Sequence, residues 1–411
     1  MVRHRVAITG MGVISPIGND CETFFDNLLA GRSGIRRLSA AFAAQLEANV
    51  AGEVDFDGDA RFPKAKLPLL DRFTQFALDA SAQAVRDSGL RFDGATRAGV
   101  FLGTGMGGAH TVQAAYEDLL VSQKPRVSPY TVLRSMTSAA AGHISIDYAV
   151  RGPTITYSTA CSSSSIAIGE ACRAIRHGYI DAAIAGGTES LLSLGTIRAW
   201  EALRALAAPD AADPGATCRP FSRDRTGLVL AEGAGIVILE SLEHAARRGA
   251  EVRAELLGFG AASDAQHMTR PALGGQVEAM RLALEDAGIP ADEVDYINAH
   301  GTATMAGDVV ETNAIKRVFG ARAASIPVSS TKSMHGHLMG AAGAVEFIAT
   351  VMAIRRRAVP PTANLRVADP ECDLDYVPCR GREAPVSTAM SNSFAFGGSN
   401  AVLVARALRT A

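Results

Sequence analysis

Residues 153–178 read PTITYSTACSSSSIAIGEACRAIRHG. A β-branched run, Thr154 to Tyr157, gives way to small polar residues and then to apolar side chains at helical spacing, up to a stop signal at Gly178. The reading is strand, tight turn, helix, with Cys161 in the turn. A thiol there meets the positive end of the helix dipole and N–H groups that have no partner inside the helix. Both stabilise a thiolate and offer donors to an oxyanion. Ser162 to Ser165 are small enough to leave room for a substrate. That Cys161 is merely a small buried residue stays open, since buried thiols are common, and Cys172 in mid-helix takes that reading.

Other short apolar runs repeat the strand signal: RVAITG (5–10), AGVFLG (98–103), AAIAGG (182–187) and AGIVILE (234–240). Between them, Phe73 to Ser88 and Gln276 to Ala287 have helical periodicity, and each is closed by a glycine, Gly89 or Gly288. The pattern predicts an α/β fold. The first of these helices leads through FDGATRAGVFLGTG (92–105) into a strand, and the second through IPADEVDYINAHGTAT (289–304) into another. Two related halves are one explanation of this likeness, and pattern alone leaves the matter open.

With 411 residues, 48% of them hydrophobic, and a formal charge of −2, the chain can bury a large core and lacks the basic excess of a nucleic-acid binder. The start, MVRHRVAITGMG, has no signal-peptide pattern, and no long uncharged apolar run predicts a membrane span. Six cysteines without framework spacing fit reduced thiols. A cytoplasmic protein is expected.

Two further segments carry histidines. NAHGTAT (298–304) places His300 after an apolar run and before hydroxyls that suit a polar substrate arm. STKSMHGHLMGAAGAVE (330–346) holds His335 and His337 beside Lys332, with Glu346 a few turns on. One cysteine and two histidine loops suit an activated thiol. A metal site on these histidines lacks the usual third carboxylate or cysteine spacing, so no metal is expected. His4, His110, His143, His177, His244 and His267 are read as structural. GTGMGG (103–108) matches a dinucleotide fingerprint, but no strand ending in an acid follows at the ribose distance; the run reads as close backbone packing. In MSNSFAFGGSNAVLV (390–404), Phe394 and Phe396 sit in a glycine- and serine-rich turn that can supply an oxyanion donor and exclude water.

Together TACSSSS (159–165), NAHGTAT, STKSMHGHLMGAAGA (330–344) and NSFAFGGSN (392–400) resemble, in order, the signature blocks of elongating β-ketoacyl-[acyl carrier protein] synthases of the thiolase superfamily. The resemblance runs from VAITGMGVISPIGN (6–19) to the last strand. TIRAWEALRALA (196–207) and CRPFSRDRTGLVLAEGAG (218–235) look closest to nodulation-type, aryl-polyene or polyketide branches. It implies a five-layered αβαβα fold of two duplicated halves, 1–250 with the nucleophile and 251–411 with the two histidines. Cys161 would take an acyl chain, and His300 and His337 would promote decarboxylation of a malonyl thioester. The backbone amides of Cys161 and Phe396 would hold the oxyanion. Lys332 would support the histidines with Glu311 as its buried partner, and Glu346 would lend further support. Thr302 and Thr304 would bond the phosphopantetheine arm, and Met106, Thr131, Trp200 and Phe394 would line the acyl side. Lys64, Lys66, Arg126 and Arg204 are docking candidates for an acidic carrier protein. Ala395, Met305 and His335 replace the family's usual glycine, proline and threonine.

The resemblance further implies no bound cofactor, substrates carried on the 4'-phosphopantetheine of acyl carrier protein, and a homodimer or a heterodimer with a related synthase or chain-length subunit. A degradative thiolase would need a second cysteine in the late glycine-rich block, where this chain has Phe396. A chain-length partner subunit typically lacks the nucleophile that is present here.

Overall fold

The computed structural model describes residues 3–94 and 97–408. Ten strands build the main sheet: β1 (Val6–Ile14), β2 (Ala98–Gly103), β3 (Thr154–Tyr157), β4 (Ala182–Glu189), β5 (Gly233–Ser241), β6 (Ala254–Ser263), β7 (Tyr296–Asn298), β8 (Val328–Ser329), β9 (Thr388–Phe394) and β10 (Ser399–Arg406). The helices that pack on this sheet include α1 (Arg72–Ser88), α2 (Ala139–Asp147), α3 (Ser163–Arg176), α4 (Leu273–Ala287), α5 (Met305–Phe319) and α6 (Ala342–Arg356). The glycine stops act as read: Gly89 and Gly288 end α1 and α4 in the left-handed region, at φ 64° and 66°.

Strand order is β8-β7-β9-β10-β6-β1-β5-β4-β2-β3. The two halves of this list follow one plan. In the first, β2 is parallel to β3 and β4, and β5 is antiparallel to β4 and β1. In the second, β7 is parallel to β8 and β9, and β10 is antiparallel to β9 and β6. The helices recur with them: α1, α2 and α3 precede β2, β3 and β4 as α4, α5 and α6 precede β7, β8 and β9. This is the duplication at which the sequence hinted.

Helices α1 and α2 lie on the outside of the first half, α4 and α5 on the outside of the second, and α3 and α6 pack together between them, touching strands of both. The five expected layers are therefore present. The sheet folds around the central pair, and its halves join where β1 meets β6 at Ala7–Glu255 and Ile8–Ala254. In the middle layer, α6 is covered on every side and is buried without a break from Ala342 to Ile354, with its one charged residue there, Glu346, paired with Lys332. Close approach explains the GTGMGG run, since a Cβ on Gly103 would lie 2.3 Å from the Ser164 nitrogen at the start of α3. No helix among the described residues is long and apolar enough to cross a membrane.

Candidate active site

The turn after β3 carries the cysteine. Ala160 adopts φ 51°, uncommon for a residue with a Cβ, and a 3-10 turn over Ala160–Ser162 leads into α3. The serines hold this turn. Ser163 Oγ donates to Ala160 O at 2.6 Å and accepts from Thr159 N at 2.9 Å, Ser164 Oγ accepts from Ala344 N at 2.9 Å, and the hydroxyls of Ser165 and Ser393 meet at 2.9 Å. Ser162 to Ser165 are fully buried. They anchor the elbow, which corrects the expectation that they make room for substrate.

Cys161 Sγ lies 3.0 Å from His337 Nε2. The opposite nitrogen, Nδ1, accepts from the backbone N–H of Met339 at 3.2 Å, so the ring proton sits on Nε2 and points at the sulfur. His337 is held through its backbone, whose N–H donates to Val229 O at 2.7 Å and whose carbonyl accepts from Ala231 N at 3.0 Å.

His300 follows β7. Its carbonyl accepts from Lys332 Nζ at 2.6 Å, and Lys332 Nζ also stands 3.4 Å from its Nδ1. This ring too is left with its proton on Nε2. The two imidazoles meet edge to face, 5.5 Å between centroids, and ligand-type atoms of Cys161, His300 and His337 all lie within 4.8 Å of one another. Burial, then the charge of Lys332, hold both histidines well below the ordinary imidazole range. Both are neutral near pH 7 and present N–H donors. A metal ion would need the Nε2 lone pairs and hence protons on Nδ1, yet those nitrogens face a backbone N–H and a lysine nitrogen, the reverse of a metal-ligand's usual outer contacts.

Burial pushes the Cys161 thiol up to about 12, against the lowering effects of Lys332 and of the backbone N–H groups of Phe396 and Cys161 itself. Of these groups only the Cys161 amide belongs to the helix start, and desolvation outweighs them all, so the resting group is the thiol rather than the expected thiolate. Those two amides reach the sulfur from the turn and from Phe396, as an oxyanion site requires.

Lys332 pairs with Glu346, not with Glu311. Glu311 accepts instead from the backbone N–H of His300 at 2.8 Å, of Gly301 at 2.7 Å and from Asn392 Nδ2 at 3.1 Å, holding the His300 loop from below. One carboxylate shapes the loop and the other balances the lysine. His335 is buried and neutral: its Nδ1–H donates to Gly336 O at 2.7 Å, and its Nε2 accepts from Thr331 Oγ1 at 2.9 Å.

A cavity of about 330 Å³ opens onto Cys161, His300 and His337, with Thr302, Thr304 and Arg204 along its length. The two threonine hydroxyls are 3.0 Å apart. Phe394 packs edge to face on His300 at 6.1 Å, and Trp200 stacks on Phe396 at 5.7 Å. Met106 lies elsewhere, in an apolar groove of about 550 Å³ with Val112, Tyr116 and Leu120. Thr131 lines neither space; its hydroxyl donates to Ser128 O at 2.8 Å. Lys64 and Arg126 are exposed, whereas Lys66 pairs with Asp147. His267 and Met305 lie on the cavity wall, which the sequence did not indicate for His267.

Glu189 escaped the sequence reading. It accepts from Gly105 N at 2.6 Å, Met106 N at 3.1 Å and Gly340 N at 3.0 Å, consuming amides that a dinucleotide phosphate would need. The available signal was a single acid ending the otherwise apolar strand AAIAGGTE.

Comparison with known proteins agrees with this geometry. Residues 3–245 match the beta-ketoacyl synthase N-terminal domain and 253–366 the beta-ketoacyl synthase C-terminal domain. The chain is 44% identical to 3-oxoacyl-[acyl-carrier-protein] synthase 2 of Coxiella burnetii, over 98% of this chain and 99% of that protein. It is 46% identical to nodulation protein E of Rhizobium meliloti, over 97% and 98%. The solved ishigamide ketosynthase/chain length factor superposes with a TM-score of 0.92 at 38% identity, covering 99% of this chain and 100% of that one. With a buried thiol facing two neutral imidazoles on a duplicated fold, and with matches along nearly its whole length, the chain belongs to the β-ketoacyl synthase family.

Proposed function

We propose that this enzyme elongates acyl chains with Cys161 as nucleophile and His300 and His337 as the paired donors for decarboxylation. Cys161 sulfur attacks the thioester of an acyl-carrier protein. The new C–S bond forms as the carrier's C–S bond breaks, and the carrier thiol leaves with the cysteine's proton. Malonyl-carrier protein then places its thioester carbonyl between the two Nε2–H groups. As its carboxylate leaves as carbon dioxide, the electron pair moves to an enolate whose oxygen these donors stabilise. The enolate carbon attacks the acyl-Cys161 carbonyl, and that oxyanion is held by the amides of Cys161 and Phe396. The C–S bond breaks, β-ketoacyl-carrier protein departs, and the thiolate regains a proton from solvent.

The observation that carries this reading is the orientation of both imidazoles, each with its Nε2–H turned inward by a donor behind Nδ1. Among the six cysteines Cys161 alone lines the cavity, which disfavours a thiolase using a second thiol as acid and base. The phosphopantetheine arm runs past Thr302 and Thr304, and Arg204 at the wall meets the acidic carrier protein. No further cofactor is needed for these steps.

We place the enzyme in the cytoplasm as an assembly of two synthase-like chains. β3 is an edge strand with Thr154 and Ile155 exposed, and exposed Val132, Leu133, Met136 and Leu120 add apolar surface. Such an edge and patch are covered in stable proteins. A second copy covers them here; a related chain-length subunit is the other occupant, favoured by the same surface. Intact mass after incubation with acyl-carrier protein and then malonyl-carrier protein tests the chemistry. An acyl adduct on Cys161 that clears as β-ketoacyl product is expected, and absence of any adduct, with a partner subunit present, overturns it.

A further inference from the structure

The stretch CRPFSRDRTG (218–227), ahead of β5, faces the loop that carries His300, Thr302 and Thr304 and holds it from the other half of the fold. Arg225 does most of this, with a side chain only 1% exposed. Its guanidinium donates from Nε to Thr304 O at 3.1 Å and from Nη2 to Met305 O at 2.9 Å. Nη1 donates to Ser222 O at 2.8 Å and pairs with Asp369. Asp308, buried in the first turn of α5, stands 3.7 Å from Nε. It accepts from the backbone N–H of Phe221 at 2.7 Å and from that of Ala303.

Two sets of anchors divide the loop 300–305. At its histidine end, Glu311 accepts from the N–H groups of His300 and Gly301, Lys332 donates to His300 O, and Ser330 Oγ donates to Gly301 O at 2.7 Å. At its threonine end the contacts come from Arg225 and Asp308. This end needs support, because Ala303 stands at φ 65°, where a residue with a Cβ stays only if its surroundings impose it. Thr302 and Thr304 flank Ala303 and line the cavity of Cys161, their hydroxyls 3.0 Å apart. Fixing the carbonyls of Thr304 and Met305 therefore fixes where those hydroxyls stand. Only a planar fork does this, since its three nitrogens serve two loop carbonyls and a carboxylate at once, whereas an ammonium has a single nitrogen.

We propose that Arg225 is a positioning residue for recognition of the pantetheine arm. Through the backbone at Thr304 and Met305 it aligns the two threonine hydroxyls with the arm, and it acts on the binding of arm-bearing thioesters rather than on the chemistry at Cys161 and His300. The inference rests on the reading that Cys161 accepts the acyl group and that the arm runs past Thr302 and Thr304.

The test compares loading of Cys161 by octanoyl-pantetheine and by S-ethyl thiooctanoate, which has the same acyl chain and no arm, with rates read by intact mass. Wild type is expected to prefer the pantetheine donor. Arg225→Lys keeps the charge beside Asp308 and Asp369 and loses the fork. Its preference falls by roughly two- to twelvefold, the worth of one neutral hydrogen bond, through a higher half-saturating concentration of octanoyl-pantetheine. Loading by the ethyl thioester stays at the wild-type rate. Added to a Thr302→Val, Thr304→Val background, Arg225→Lys lowers the preference no further. Asp369→Asn retains the arginine, weakens the pairing that orients it, and shows the same shift in smaller measure; it serves in place of Arg225→Lys should that variant not fold. An undiminished preference in these variants, or an equal loss of loading by both donors, overturns the inference and leaves the condensing reaction intact. Absence of any preference in wild type removes the arm from the threonines, and failure of every donor to load Cys161 overturns the reaction itself; the inference falls in both cases.

Discussion

The backbone N–H of Met339 sits 3.2 Å behind Nδ1 of His337 and thereby turns the opposite N–H toward the Cys161 sulfur, 3.0 Å away. A histidine so arranged donates; it has no lone pair with which to take the thiol proton. His337→Ala and His300→Ala are therefore expected to slow malonyl decarboxylation by about 10²–10³ each, the usual effect of losing one oxyanion donor. Acyl transfer to Cys161 stays measurable in both. Carbon dioxide release and adduct mass separate the two steps, and normal malonyl turnover in both variants would remove the assignment.

Burial pushes the Cys161 thiol up to about 12. Its thiolate fraction then keeps rising with pH beyond the point where an ordinary cysteine, near 8.5, levels off. Alkylation of Cys161 by iodoacetamide is expected to climb about tenfold per pH unit from 7 to 10. A plateau between pH 8 and 9, read by mass spectrometry, would show a thiol activated in the resting enzyme.

Lys332 and Glu346 form a buried ion pair. Lys332→Met leaves the carboxylate without its partner and is expected to cost about 3–5 kcal/mol in urea unfolding. Adding Glu346→Leu recovers much of that stability, since the pair is replaced by apolar side chains. It does not restore decarboxylation, because His300 still lacks its lysine. Recovery of activity in the double variant would confine Lys332 to a structural role.

Burial raises the Glu189 carboxyl to about 7, although four hydrogen bonds oppose it. A folded pKa above the unfolded value means that the native state holds a proton which the unfolded chain releases between about pH 4.5 and 7. Stability from this group is present below that window and is lost as pH rises through it, by on the order of 3 kcal/mol. Glu189→Gln lacks this slope and points an amide N–H toward Gly105, Met106 or Gly340. Decarboxylation is expected to fall in the variant, because Gly340 adjoins Met339. Parallel stability curves for the two proteins at pH 4.5 and 7 would count against this account.

Ile155 is exposed on the edge strand β3. Ile155→Lys places a charge on the surface assigned to a second chain and is expected to halve the molecular mass in sedimentation. An unchanged mass would locate the interface elsewhere.

The three residues that the fold brings together could be singled out because each stands in a short block whose composition serves one turn: Cys161 before a helix, His300 after an apolar run and His337 among glycines and alanines. Strands and helices were legible wherever glycine closed an apolar run, as at Gly89 and Gly288. Pairings across the fold were not. Glu311 and Glu346 both lie on helices near Lys332 in space, and which one meets the lysine depends on the packing of α5 and α6 rather than on spacing. Ser162 to Ser165 looked like empty room because a serine's size is visible in sequence and its hydrogen bonds are not. Met106 and Trp200 came together in one expectation yet face two different spaces, a distinction made by the helix Leu194–Ala202.

Cys161 comes from the first half of the duplicated sheet, while His300 and His337 come from the second. Neither half by itself contains both Cys161 and the two histidines that face it. During synthesis the cysteine emerges long before the histidines, so the chemistry is withheld until the late half has docked around α3 and α6. Recovery of malonyl decarboxylation on refolding thus reports the joining of two pieces, and coexpressed fragments cut between β5 and β6 would register their reunion by the same signal.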